Sequence, residues 1–337
     1  MTADPGKCAS KLRMSETVVE SYVAATGIYT NALGVLHGGH MLRWIVDYGL
    51  VAASRVVKGY ALLAGIDFVD LSSPVREGET LMFKAWVSYA GRSSVEVMVR
   101  AESLGIPGLS SPPRRAAVAH MTMVSVDDSL RPRPHGACIE AASREEESLM
   151  EVSLKLRRER SRRIEARRSE PFNTEPPRPV EDGFTYKSSR IVNPVDSVAY
   201  NVMHAGSMLY FIDELSAVLA AKYASNIVVT GFLGPADFYR PVPVGYVLDA
   251  TAAVSYAGRS SVEVEVKVLA RPMPADWSET AAKAYLTLVS LAPDGSPTPL
   301  PRGRAMKQTP DSSARAEWRR GILRLIEEGA LDLKPPS

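Results

Sequence analysis

Cysteine is nearly missing from this sequence: there are two in 337 residues, Cys8 and Cys138. Neither has a partner at metal-ligand or redox spacing, which leaves no case for a thiolate metal site and suits a reducing compartment. Long uncharged runs are also lacking. No stretch reaches the length needed to cross a bilayer, and the first thirty residues carry Lys7, Glu16 and Glu20 rather than the apolar core of a secretion signal. Nor does one charge dominate. Forty Lys and Arg against 38 Asp and Glu leave a formal net charge of +2, no basis for binding nucleic acid or a membrane surface. The expectation is a cytoplasmic chain with no nucleic acid, no membrane and no metal among its partners.

What is present is a repeat. The string VSYAGRSSVEV occupies residues 87–97 and, unchanged, residues 254–264, an offset of 254 − 87 = 167. At the same offset, His37-Gly38-Gly39-His40-Met41-Leu42 falls on His204-Ala205-Gly206-Ser207-Met208-Leu209. Pro74-Val75 and Gly78 fall on Pro241-Val242 and Gly245. Residues 121–126 match 286–291 at an offset of 165, which places a small insertion in the Pro-rich turn at 105–113. Two whole domains are therefore duplicated, and 45% hydrophobic residues suffice for two cores.

Each copy reads as one buried helix followed by strands. Residues 39–57 are apolar almost all round, with Arg43, Asp47 and Arg55 as the main exceptions, and residues 207–224 behave alike. Residues 60–68, 80–89, 94–102 and 116–126 are rich in β-branched and aromatic residues and read as strands. The repeated string is then a β-hairpin, with Gly91 expected to supply a positive φ at its turn. This is an α+β unit whose antiparallel sheet curls around a central helix, and two fused copies can pair as an isologous dimer pairs. Residues 145–168 mix Glu and Arg with Leu149, Leu156 and Ile164, the pattern of a solvated amphipathic helix. Residues 313–328 supply its counterpart. The expected boundaries are a first domain at 10–168 including that helix, an exposed Pro-rich linker at 169–183, and a second domain at 184–330.

Two features carry chemistry. His37-Gly38-Gly39 leads straight into the first helix, where free backbone N–H groups and the helix dipole face whatever lies in front. One such donor aimed at a developing oxyanion is worth about 2.7–4 kcal/mol, although paired glycines are also common in plain loops. The second feature is Asp213, a carboxylate within an otherwise apolar helical stretch. Burial raises a carboxylate's pKa and suits it to act as a general base. The repeat places Val46 opposite Asp213 and Val198 opposite Asn31, so neither copy holds both polar groups.

The pattern N-x-x-G-x-x-H-G-G, formed by Asn31, Gly34, His37, Gly38 and Gly39, with an acid nine positions after the His as at His204 and Asp213, resembles the hotdog-fold acyl-CoA thioesterases. The duplicated layout is similar to their tandem, double-hotdog members, the cytosolic long-chain acyl-CoA hydrolases of animals. The resemblance implies two tandem hotdog domains and hydrolysis of an acyl-CoA thioester to free acid and coenzyme A. It implies no cofactor beyond the coenzyme A of the substrate. In that family the catalytic Asn and Asp come from opposite members of a dimer, and the match carries these roles to Asn31 and Asp213, giving one composite site per chain across the two domains. His37, Gly38 and Gly39 become oxyanion and positioning groups. Asp213 would activate a water or attack directly.

Coenzyme A also needs phosphate contacts. The candidates are Arg92 with Ser93, Arg259 with Ser260, and Arg240, which stands before Pro241 where the other copy has Ser73 and which could pair with an acid instead. Retention of the hairpin in both copies equally suits a shared folding role. The resemblance further implies a homo-oligomer, a trimer of double-hotdog chains being one form. Two other functions stay open: a non-catalytic acyl-CoA-binding regulator, with the Arg-rich residues 157–168 as its effector surface, and a hotdog dehydratase of 3-hydroxyacyl thioesters using His37 or His204.

Overall fold

The computed structural model describes residues 8–71, 73–109, 112–166, 169–292, 294–331 and 336. Two expected features fall partly outside these: residues 110–111 of the Pro-rich turn, and Arg167 and Arg168 at the end of the Arg-rich segment. The chain gathers into two compact units. One comprises residues up to Leu36, Trp44–Ala166 and Leu323 onward; the other comprises His37–Arg43 and Arg167–Ile322.

The first copy of the repeat runs β1 (Ser10–Arg13), β2 (Val19–Ala24), α1 (Gly38–Val57), β3 (Ala61–Asp70), β4 (Thr80–Ala90), β5 (Ser94–Ser103), β6 (Arg114–Ser125), β7 (Ala137–Glu140) and α2 (Arg144–Ala166). Antiparallel pairing sets the order β2-β4-β5-β6-β3. The second copy runs β8 (Thr185–Ile191), α3 (Ala205–Ala224), β9 (Val228–Phe238), β10 (Val247–Ala257), β11 (Ser261–Arg271), β12 (Glu279–Ser290) and α4 (Pro310–Glu327). Its order, β8-β10-β11-β12-β9, repeats the first. Helix α3 packs on all five strands of its sheet. Its apolar girth has the same cause in both helices: Leu42, Ile45, Leu209 and Ile212 are fully buried, as a helix wrapped by a sheet requires. Helix α1 starts one residue before the expected position, and the four expected strand runs agree with β3 to β6 within two residues at each end.

The repeated string is the β4–β5 hairpin and again the β10–β11 hairpin. Both ladders slip at the same place, between Val87 and Tyr89 and between Val254 and Tyr256. This bulge turns Ser88 and Ser255 to donate to the carbonyls of Glu96 and Glu263, at 3.3 Å in each case. One expectation fails here: neither Gly91 nor Gly258 has a positive φ. Space is tight at both glycines instead. A Cβ on Gly91 would stand 3.0 Å from the Arg157 guanidinium, and one on Gly258 would stand 3.1 Å from Ser261 Oγ.

Helix α2 is less solvated than its charge suggests. Leu149 and Leu156 are buried, while Ile164 is 45% exposed. Two arginines turn inward. Arg160 bonds both carboxylate oxygens of Glu96 at 2.8 Å and also pairs with Asp67, and Arg157 reaches Glu96 at 2.9 Å. His120 Nδ1 lies 2.7 Å from Asp67, and Thr122 donates to Glu96 at 2.6 Å. Asp67, Glu96 and His120 are metal-binding types brought within 4.8 Å of one another, but Arg160 already supplies their cation. In the second unit Arg315 of α4 pairs with Glu263 at 2.8 Å and stacks over Tyr285 at 4.1 Å. The buried Glu of the repeated string is thus the point where each closing helix docks.

Two further expectations are refined by the structure. Residues 169–183 are mostly exposed, as expected of the linker, and are strapped to the second unit. Val180 N–H donates to Val254 O at 2.8 Å, the Asn173 carbonyl accepts from Lys267 and Thr280, and Glu170 pairs with Lys267 at 2.8 Å. The cysteines are not free: Cys8 and Cys138 form a disulfide across 130 residues. Parallel pairing of β1 with β7, Lys11 opposite Cys138, brings them together, a juxtaposition that spacing in the sequence cannot show. In a chain-entropy account a loop of that size stabilises by up to about 4–5 kcal/mol. Dithiothreitol should therefore lower the thermal midpoint of the protein and leave that of Cys8→Ser unchanged. An intact-mass gain of two hydrogens on reduction checks the bond itself.

Candidate active site

Asn31 sits in a tight turn of the first unit. Its Oδ1 accepts the N–H groups of Leu33 at 2.9 Å and Val35 at 3.3 Å, and Gly34 closes the turn with φ 66°. The side-chain carbonyl is thereby used to shape the loop, and Nδ2 has no partner among the described residues. The turn is anchored by a bridge from Val35 to Arg76 and by Leu36 N–H on the Val75 carbonyl at 2.8 Å. In the second copy Val198 cannot make this turn, and Tyr200 and Asn201 both take left-handed backbone, at φ 53° and 55°.

Asp213 lies in the second unit on α3, 1% exposed. Thr230 of β9 donates to its Oδ1 at 2.6 Å, and His37 Nδ1 stands 3.4 Å from its Oδ2. Burial raises its pKa above the usual carboxylate range, against the opposing pull of His37, the Thr230 hydroxyl and the Gly39 N–H. The Gly39 N–H also reaches His37 Nδ1 at 3.1 Å, so that donor is committed. The N–H of Gly38 has no partner among the described residues. A helix-start donor therefore stands free next to a buried carboxylate of raised basicity.

The approach is close enough to require glycine. A Cβ on Gly38 would fall 2.7 Å from Thr230 Cβ and Oγ1 and 3.1 Å from Asp213 Oδ1, and one on Gly39 would fall 2.8 Å from Tyr210 Cδ2. Alanine normally stabilises a helix by about 1 kcal/mol over glycine. At Gly38 the sign should reverse: Gly38→Ala lowers both the melting midpoint and turnover, whereas Gly321→Ala in α4, with nothing within 4 Å of the new methyl, raises the midpoint. A comparison of the two melting curves decides it.

Of the expected residues, His37, Gly38, Gly39 and Asp213 come together within the second unit. Three neighbours were missed: Thr230, Tyr210 and His40. Tyr210 packs at a tilt against both histidine rings, with centroids 5.4 Å from His37 and 4.8 Å from His40. Burial and the neighbouring His37 and Arg43 charges lower the pKa of His40. The repeat held the signal, because at offset 167 Thr230 faces Leu63 as Asp213 faces Val46: both members of the polar pair exist in one copy only.

The hairpin candidates lie elsewhere. Arg92 and Arg259 are exposed, with no ion pair among the described residues. Their turns serve as anchors: His135 N–H bonds Arg92 O, Ser125 N–H bonds Ser93 O, Leu300 N–H bonds Arg259 O, and Ser290 N–H bonds Ser260 O. Arg240 pairs with Glu279, the second of the two roles that the sequence left open for it.

The family model described as Thioesterase superfamily matches residues 33–107 and again 200–274. The chain belongs to the thioesterase superfamily, as two hotdog domains in tandem. Among characterised proteins it is similar to the cytosolic acyl coenzyme A thioester hydrolase of Rattus norvegicus, 26% identical over 314 residues that cover 86% of this chain and 78% of the relative. An uncharacterized acyl-CoA thioester hydrolase of Bacillus subtilis is 32% identical over 116 residues, 34% of this chain and 67% of its own length. An acyl-ACP thioesterase structure from Bacteroides thetaiotaomicron superposes over 82% of this chain and 100% of its own, with a TM-score of 0.51 at 10% identity, a likeness of fold. Among the described residues no helix is long and apolar enough to cross a membrane.

Proposed function

We propose that this chain is an acyl-CoA thioesterase, hydrolysing the thioester to a free acid and coenzyme A with one active site per chain. The observation that carries the reading is the buried Asp213 beside the free Gly38 N–H, a base and an oxyanion donor in one unit, in a chain whose relatives over most of its length are thioester hydrolases. The thioester carbonyl takes the Gly38 N–H, and the family resemblance gives Asn31 a part in the same reaction. Thr230 fixes the Asp213 carboxylate through Oδ1, and Oδ2, which His37 Nδ1 faces at 3.4 Å, is the oxygen that acts. From there Oδ2 either takes a proton from the water that attacks the carbonyl, or attacks the carbonyl itself, expelling the coenzyme A thiolate and forming an anhydride that water then opens. Oxygen-18 from water found in Asp213 after a single turnover identifies the second route with water attacking the Asp213 carbonyl, and capture of an acyl group on Asp213 by hydroxylamine identifies it whichever carbon water attacks. Bound coenzyme A draws on the exposed Arg92 and Arg259 with the hydroxyls of Ser93 and Ser260.

The regulator reading is weaker, because ligand binding alone does not call for a carboxylate of raised pKa. The dehydratase reading is weaker too: His204 is pushed down to about 4 by burial and the Arg43 charge, and His37 is engaged by Gly39 and Asp213. The experiment is thiol release from a panel of acyl-CoAs of graded chain length. Release at some length is expected; none at any length would sink the enzyme reading. The cytosolic naming of the relatives supports the same compartment here, and light scattering tests the expected homo-oligomer.

A further inference from the structure

The start of α3 repeats the start of α1 in altered form. His204-Ala205-Gly206-Ser207 stands where His37-Gly38-Gly39-His40 stands in the other copy, and Arg43 occupies the position of Tyr210. The packing is kept: a Cβ on Gly206 would lie 3.1 Å from Arg43 Cα and 2.9 Å from His204 Nδ1, as one on Gly39 meets Tyr210 and His37. The chemistry is inverted. At offset 167 Val46 matches Asp213 and Arg43 matches Tyr210, so in sequence an apolar residue replaces the acid and a guanidinium the phenol.

Three kinds of donor are left unused at this end of the helix. Arg43 is half-buried and has neither an ion pair nor a hydrogen bond among the described residues. The Ser207 hydroxyl, in a residue only 3% exposed on the first turn, has no partner. Ser207 and Met208 N–H both go to the His204 carbonyl, while the N–H groups of Ala205 and Gly206 go to none. A buried hydroxyl without a partner costs about 1–3 kcal/mol, and such a group beside an unpaired guanidinium and a helix N-terminus calls for an anion.

We infer that the first turn of α3, together with Arg43, is a carboxylate-binding site that does not hydrolyse what it holds. Arg43, the Ser207 hydroxyl and the Ala205 and Gly206 N–H groups donate to a single carboxylate. A singly charged ligand fits better than phosphate, because among the described residues here Arg43 is the unpaired cation, Arg190 over the Phe211 ring being matched by Asp196, and His204, at about 4, is neutral near pH 7. Met203, Met208 and Phe211, all buried around this turn, favour a carboxylate carried on an apolar chain. The free acid released by thioester hydrolysis is such a ligand, and only this naming of its source rests on the thioesterase reading.

Calorimetric titration of the full chain with decanoate, acetate and inorganic phosphate tests the site. One decanoate per chain is expected, held more tightly than acetate or phosphate. Arg43→Gln should weaken it about 10-fold or more, Arg43→Lys should recover part of the loss, and Asp213→Asn should leave it in place. Ser207→Ala, which removes one unpartnered hydroxyl from the turn, guards against misfolding of the arginine variant and should weaken decanoate while the melting midpoint of the free protein stays the same or rises. Decanoate affinity that survives both Arg43→Gln and Ser207→Ala, that disappears in Asp213→Asn, or that falls below phosphate affinity overturns the assignment. Because binding is read directly, a chain that releases no thiol fails the thioesterase reading without touching this one.

Discussion

Asp213→Asn should lower turnover of the best acyl-CoA by about 100- to 10,000-fold, the span typical of a lost general base, and at the same time raise the thermal midpoint. The second effect follows from the sign of the pKa shift. Burial raises the folded-state value of Asp213 above its unfolded value, so its contribution to stability is complete below the unfolded value, about 3.9, and is lost as pH rises through the folded one. At neutral pH the buried carboxylate is a cost. Asparagine keeps the shape and still accepts from Thr230, so the variant should be more stable at pH 7 and match the wild type near pH 4. Thiol release and melting curves at these two pH values check both halves. A variant that loses activity together with stability would mean that Asp213 holds the fold rather than the reaction.

Arg160→Leu should cost about 3–5 kcal/mol of stability, the usual penalty for removing one partner from a buried ion pair. Asp67 and Glu96 are 1% and 0% exposed, and the loss of Arg160 would leave Asp67 with His120 and Glu96 with Arg157 and Thr122 to offset two buried charges. Adding Asp67→Asn and Glu96→Gln to Arg160→Leu should recover much of the loss, since it removes the stranded charges. The pH dependence has the opposite sign to that of Asp213. Burial acts to raise the pKa of Asp67, but Arg160 and His120 outweigh it and the net shift is downward. Its stabilisation is present above about 3.9 and disappears on acidification through the lowered folded value. Chemical denaturation of the single and triple variants at pH 7 and near pH 3 reads both expectations.

The fold was legible because duplication wrote it twice. A helix apolar on all sides and strands ending at Gly or Pro were each supported by a second copy, so α1 and β3 to β6 emerged within two residues. What stayed hidden joins residues far apart in the chain. Cys8 meets Cys138 through a parallel strand pair, and Arg160 meets Asp67 across 93 residues; neither has a local signature. The glycine of the hairpin was misread because φ is the common reason for glycine in a turn, whereas here a guanidinium from another element packs tightly against it. At the site, Asp213 stood out as a charge in an apolar helix, but a threonine in a strand is ordinary, and Thr230 is visible only against Leu63 in the other copy. The same comparison separates the hairpin from the chemistry. Its Glu96 and Glu263 dock the closing helices in both copies, which accounts for its identity in both.

The central proposal is that Asn31 and Asp213 both serve the one reaction of the chain. Its most direct test is kcat for Asn31→Ala, Asp213→Asn and the double variant on the best acyl-CoA. Residues that act as a unit are strongly non-additive, so each single variant should lose nearly all activity and the double should fall little below the weaker single. Half of the wild-type rate remaining in either single variant would mean that a second site works, and the account would be wrong.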